Sequence, residues 1–322
     1  MSSEVGYTNL ARNMLVGVHD RSIIDFIQDF NMHKFSEYPD LNPIYDLLSD
    51  FLSIDRENFL ITNGVEGAIK AVFEIYDFAG KTCIISDPTY AMYHIYAEAN
   101  LADFLRLPAK TLNYEAITDL TRKHEIGLIC LINPMPMCDH HLSHNQIDLI
   151  VKHCQSTGTL VFLDEVYTGY GTQSFLTNYV VDNYDNLIVS SSFSKSHMLP
   201  ALKTGYLISN RDRILEIEST RPSYEISLLD SELLKSVVKH DDYFRNFQES
   251  VKEKKKYYIQ NYGLIGNYSL NLHVSREIPD LKERFLKKAI MVGMQKDVYF
   301  SVPMLPTVDD RVSEVLASLA DA

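Results

Sequence analysis

The residues of this chain best suited to chemistry stand together. They are Ser191-Ser192-Phe193-Ser194-Lys195, with Lys203 eight positions beyond Lys195 and then Gly205. An uncharged lysine amine attacks carbonyl carbon and forms a Schiff base. Hydroxyls on either side of it, and a second cation, suit a phosphate. The ligand implied carries both a carbonyl and a phosphate. Asn186-Leu187-Ile188-Val189 leads into the segment as a short apolar, β-branched run, which reads as a buried strand. Lys195 therefore lies where a strand gives way to a turn. A lone lysine on a polar loop is usually a surface residue, so the elements around it decide.

Those elements alternate. Strands are expected at Asn58–Thr62, Thr82–Ser86, Gly127–Ile132, Thr159–Leu163, Leu187–Ser190 and Lys203–Ser209. Helical spacing occupies Val65–Tyr76, Ala91–Ala99 and Gln146–Gln155. Continuous apolar strands between helices imply an α/β domain with a mainly parallel sheet covered on both faces. Ligands of such sheets bind beyond the carboxyl ends of the strands. The polar punctuation falls there: Asn63-Gly64, Asp87-Pro88, Asn133-Pro134, Asp164 and Ser192–Lys195. Beyond about residue 210 the pattern changes. Helices at Leu228–His240, Phe244–Tyr258, Asp280–Val292 and Asp309–Ala320 surround strand-like Ser269–Val274 and Val298–Val302. We expect a large domain over 35–210 and a smaller α+β domain from 1–34 and 211–322.

The 322 residues suffice for two such units. A net charge of −13 argues against a nucleic-acid surface, which must be cationic. No apolar run approaches the ~20 residues that cross a bilayer. Met1-Ser2-Ser3-Glu4 opens no secretory signal. Cys83, Cys130, Cys138 and Cys154 lack C-x-x-C spacing and read as reduced thiols, so a cytoplasmic protein is expected. Cys138-Asp139-His140-His141 offers metal-ligand types, but neighbours in sequence do not converge on one ion, and no metal site is expected.

Taken together, the loop residues resemble those of the fold-type I pyridoxal phosphate (PLP)-dependent aminotransferases, in their histidinol-phosphate aminotransferase-like branch. The resemblance runs from about Tyr38 to Tyr206 and weakens beyond. It implies that fold, PLP as cofactor, and Lys195 as the Schiff-base lysine and proton shuttle. Asp164, in Asp164-Glu165-Val166-Tyr167, matches the aspartate that pairs with the pyridine nitrogen and keeps it protonated. Tyr167 matches the donor to the phenolic oxygen. Gly64, Val65 and Glu66 match the turn whose backbone N–H groups take the phosphate, with Ser192, Ser194 and Lys203 completing the cup. Tyr90 matches the aromatic residue stacked on the ring. Tyr38 resembles the tyrosine that reaches the phosphate of a neighbouring subunit, which implies a homodimer with composite sites.

Three departures stand out. The family's asparagine loop is replaced by Asn133-Pro134-Met135-Pro136. One alignment sets Pro136 at the asparagine and a shifted one sets Asn133; we take Asn133 as the cofactor contact because it ends the strand. The arginine that binds a substrate carboxylate is missing from its strand, which reads Val298-Tyr299-Phe300-Ser301-Val302. Arg311 fits a surface role, and Arg221, Arg276 and Tyr299 are the substrate-binding candidates. The N-terminal arm lacks the family's Glu-Asn-Pro-Tyr-Gly-like cover. The expected activity is amino transfer between a small amine or amino acid, phosphorylated or not, and a keto acid or aldehyde. The alternatives are a decarboxylase, other Cα chemistry on the same fold, or a degenerate PLP-binding protein.

Overall fold

The computed structural model describes residues 7–12, 14–15, 31–136, 138–176, 178–274, 278–294 and 298–319. Its strands are β1 Thr8–Asn9, β2 Phe59–Thr62, β3 Thr82–Asp87, β4 Asp103–Pro108, β5 Ile126–Ile132, β6 Leu160–Asp164, β7 Leu187–Ser192, β8 Gly205–Ile208, β9 Asn271–Val274, β10 Ile290–Met291, β11 Gly293–Met294 and β12 Val298–Ser301. A seven-stranded sheet runs in the order β2-β8-β7-β6-β5-β3-β4. Its neighbours are parallel except at β8, which lies antiparallel to both β2 and β7.

Burial on both faces explains the unbroken apolar runs. Successive side chains point to opposite faces of a strand. Cys130, Phe162 and Ile188 go to one face, under Ala68, Ile69, Val72 and Phe73 of the helix Gly64–Ile75. Ile129, Leu131, Val161, Leu163 and Val189 go to the other, against Ile147, Ile150, Val151 and Cys154 of the helix His144–Thr157. That helix begins on a reciprocal cap between Ser143 and Gln146 and ends at Gly158 in the left-handed region.

The antiparallel β8 matters for the site. Parallel strands β3, β5, β6 and β7 all finish at one edge, and β8 starts at that edge. The turn after β7 and the residues before β8 therefore meet, so Lys195 and Lys203 share the carboxyl edge. Gly205 permits the close approach: a Cβ there would lie 2.7 Å from the Ser191 carbonyl oxygen and 2.9 Å from the Gly64 Cα.

A three-stranded antiparallel sheet, β11-β12-β9, forms beyond residue 270. The helix expected over Asp280–Val292 spans only Leu281–Lys287. Ala289 takes a positive φ of 56° and turns the chain into β10, which pairs in parallel with β1. The last helix runs Pro306–Ala317. Edge strand β4 was not expected, because Asp103-Phe104-Leu105-Arg106-Leu107-Pro108 mixes polar and apolar residues at a half-solvated edge. Among the described residues, no helix is long and apolar enough to cross a membrane.

Candidate active site

One cavity of about 420 Å³ opens at the carboxyl edge of the large sheet. Gly64, Val65, Glu66, Tyr90, Asp164, Tyr167, Ser192, Ser194, Lys195 and Lys203, all singled out from sequence, line it. Tyr299, from the smaller sheet, lines it as well.

Asp164 ends β6 and is buried. The Val166 N–H donates to its Oδ1 at 3.0 Å, and the Tyr93 hydroxyl donates to its Oδ2 at 2.9 Å. Burial pushes this carboxyl up to about 6, while those two hydrogen bonds and Lys195 pull the other way. Burial also lowers the Lys195 amine to about 8, against the attraction of Asp164. The cavity thus holds an amine with an accessible neutral form and a carboxylate held for a cation. Several contacts fix the lysine's backbone. The Tyr170 hydroxyl donates to the Lys195 carbonyl at 2.8 Å, and Gln248 Nε2 donates to the Ser196 carbonyl at 2.6 Å. Glu165, buried and raised to about 7, accepts from the Ser174 hydroxyl and from the Phe175 N–H at 2.7 Å. That pins the loop that carries Tyr167.

The helix Gly64–Ile75 starts at the cavity with no side-chain cap, so its first N–H groups remain for an anion. Gly64 has φ +65°, which only glycine adopts cheaply. Lys203 also sits in the left-handed region, at φ 52°, and its ammonium lies 3.5 Å from Glu66. The Tyr90 hydroxyl donates to the same Glu66 oxygen at 3.0 Å. A phosphate arriving here shares Lys203 with Glu66. Thr89 Oγ1, in the cavity wall, is buried without a hydrogen-bond partner among the described residues. These features fit PLP: N–H groups, hydroxyls and an ammonium for its phosphate, a carboxylate for its ring nitrogen, and an amine for its aldehyde.

Three expected residues lie elsewhere. Asn133 does not line the cavity. Its amide donates to the Leu142 carbonyl at 3.2 Å and accepts from the Leu142 N–H at 2.7 Å, so it closes the 134–142 loop instead. Arg221 lies in a separate cavity, donating to the Tyr45 hydroxyl at 2.7 Å and to Glu218 at 2.8 Å. Tyr38 is 83% exposed and stacks on Tyr224 at 4.9 Å between centroids, outside the cavity of its own chain. Arg276 lies outside the described residues. Arg311 is held by the Thr307 and Lys288 carbonyls and the Thr8 hydroxyl.

The sequence reading missed Tyr93, Thr89, Arg12, Asn271 and His273. Tyr93 lies in the first turn of the helix Met92–Ala99, just past Tyr90, and its 0% exposure was not legible in the sequence. The last three carried no signal, because only tertiary contacts bring them to the cavity.

The model of the family described as "Aminotransferase class I and II" matches residues 8–265, and the chain belongs to that family. A histidinol-phosphate aminotransferase of Pyrococcus furiosus is 23% identical over 274 residues, 83% of this chain and 78% of that protein. Histidinol-phosphate aminotransferase 2 of Hydrogenovibrio crunogenus is 32% identical over 216 residues, 64% of this chain and 56% of that protein. The chain therefore spans between about half and four fifths of these relatives. Among solved structures, a histidinol-phosphate aminotransferase of Sinorhizobium meliloti in complex with pyridoxal-5′-phosphate aligns over 97% of this chain and 91% of that one, with TM-score 0.85 and 16% identity. An L-threonine-O-3-phosphate decarboxylase of Porphyromonas gingivalis aligns over 98% and 100%, with TM-score 0.77 and 17% identity. The fold is that of the fold-type I enzymes. Family membership makes the chain a PLP-dependent transferase.

Proposed function

We propose that this chain transfers an amino group between a small amine or amino acid and a keto acid or aldehyde. PLP supplies the electron sink for this chemistry when bound. In this reading Lys195 holds the cofactor and moves the proton at the substrate Cα, its lowered amine suiting it as base. With PLP bound, Asp164 would keep the ring nitrogen charged, with Tyr93 orienting Asp164. Tyr167 would serve the phenolic oxygen, Tyr90 the ring, and Gly64, Val65, Glu66, Ser192, Ser194 and Lys203 the phosphate. Asn133 takes no part. The observation that carries the reading is the Lys195–Asp164 pair buried in one cavity with a phosphate-suited rim.

The relatives named for histidinol phosphate make a phosphorylated amine the first donor to try. The reading also includes the division into 35–210 against 1–34 with 211–322, a cytoplasmic location, and a homodimer in which exposed Tyr38 meets the partner's site. Light scattering tests the dimer, and a monomer at micromolar concentration counts against it.

Cofactor-loaded protein should be yellow, and borohydride should fix the cofactor on Lys195. Amines should convert the cofactor to its amine form. Carbon dioxide release without that conversion would assign decarboxylation instead, and protein that takes up no PLP would end both readings.

A further inference from the structure

The strand in which the resemblance implies a carboxylate-binding arginine reads Val298-Tyr299-Phe300-Ser301 and has none. Tyr299 lies on β12, and its ring packs onto Gly293 so tightly that a Cβ there would come within 2.1 Å of the ring. Its partner in the neighbouring strand is His273, with ring centroids 5.7 Å apart. His273 Nε2 lies 3.2 Å from the Pro136 carbonyl oxygen. Tyr299, His273 and Asn271 line the cavity without supplying a guanidinium.

An exposed arginine of another segment borders the same cavity. Arg12 lines it, from the N-terminal stretch laid along β12. The Ser301 N–H donates to the Leu10 carbonyl at 2.9 Å. The Ser301 hydroxyl donates to the Arg12 carbonyl, and the Met14 N–H donates to that hydroxyl oxygen at 3.3 Å. Ser301 is fully buried and two residues from Tyr299, on the same face of the strand. The backbone of Arg12 is thus tied to the strand that carries Tyr299.

Charge makes Arg12 distinct from the other cavity cations. Lys195 faces Asp164, and Lys203 lies against Glu66. The Arg12 guanidinium makes no ion pair among the described residues. A guanidinium binds a carboxylate or a phosphate through paired, charge-assisted hydrogen bonds.

We propose that Arg12 binds the anionic group of the substrate, the work that the strand arginine does in relatives. The inference rests on the amino-transfer reading, and it makes the substrate an amine bearing a carboxylate or phosphate.

The test uses cofactor-loaded wild type, Arg12→Ala and Arg12→Lys. Amine-driven conversion of the cofactor is followed with alanine (carboxylate), O-phosphoethanolamine (phosphate) and ethanolamine (neither). The expected result is a rise of about ten- to a hundred-fold in the half-saturating concentration of the anionic amine for Arg12→Ala. Arg12→Lys should fall between, and ethanolamine should be unaffected. Whichever anionic amine loses more identifies the group. Equal saturation in wild type and Arg12→Ala overturns the inference and leaves amino transfer standing.

A second measurement needs no turnover. Succinate and inorganic phosphate, added to the loaded proteins, should raise the melting temperature of wild type and not of Arg12→Ala. Equal stabilisation overturns the inference even where no amine is converted, a failure that would count against the amino-transfer reading itself.

Discussion

The two walls of the cavity differ in how they are built. The wall at the carboxyl edge of the large sheet uses residues at strand ends, each placed by its own short segment: Gly64 after β2, Asp164 ending β6, Lys195 after β7 and Lys203 before β8. The wall from the smaller sheet joins Arg12, Asn271, His273 and Tyr299, which lie up to 287 positions apart. The first wall carries the residues singled out from the sequence, among them Lys203. The second carries Tyr299 on β12 and no arginine on that strand. The cofactor's demands are the same in every enzyme that uses it, while the substrate's demands change with the substrate.

Substitutions can break that contrast. The largest effect belongs to Lys195→Ala, which should lower amine-driven cofactor conversion by about a thousand-fold or more and abolish borohydride fixation. Its far-UV circular dichroism should stay unchanged, because the helix it leaves is held by Tyr170 and Gln248. Retained turnover would refute the assignment.

Asp164→Asn comes next, with a loss of about 10²- to 10⁴-fold in turnover, the range of a positioned acid–base group. This variant also carries a pH signature. The Asp164 carboxyl lies at about 6 in the fold against an ordinary 3.8, so the fold favours its neutral form. That stability is fully present below the unfolded value and is lost as pH rises through 6. Cofactor-free wild type should therefore lose melting temperature between about pH 4 and 6 more steeply than Asp164→Asn. Parallel melting curves for the two proteins would contradict the buried carboxylate.

Gly293→Ala acts on the second wall. Its Cβ would collide with the Tyr299 ring, so we expect a destabilisation of about 1–3 kcal/mol and a raised half-saturating concentration of donor. Cofactor affinity should not change, and an equal loss of PLP binding would show the two walls to be one unit. The smallest effect is expected from Tyr93→Phe. Asp164 then keeps only the Val166 N–H, and its carboxyl should rise further above 6. The acid limb of the pH–rate profile should move to higher pH, with about ten-fold loss or less at neutrality. An unmoved acid limb would remove Tyr93 from the site.

The α/β class, six of the seven strands of the large sheet and most of the first wall were legible in the chain. Hydrophobic runs and the polar residues that stop them are local signals, and the carboxyl-edge rule turns them into a site. Asn133 misled because a strand-end asparagine serves a loop as well as a ligand, and here it binds the Leu142 backbone on both sides. Arg221 misled because a cation near the expected pocket in sequence is drawn instead to Tyr45 and Glu218.

The sequence alone determined what the cofactor wall is made of, because each of its residues is fixed by the strand or turn that bears it. The tertiary structure alone decided what stands on the opposite wall. That wall exists only where the N-terminal segment hydrogen-bonds to Ser301 and where β9 and β12 pair. Such pairing depends on contacts between distant parts of the chain, which no local pattern of residues records.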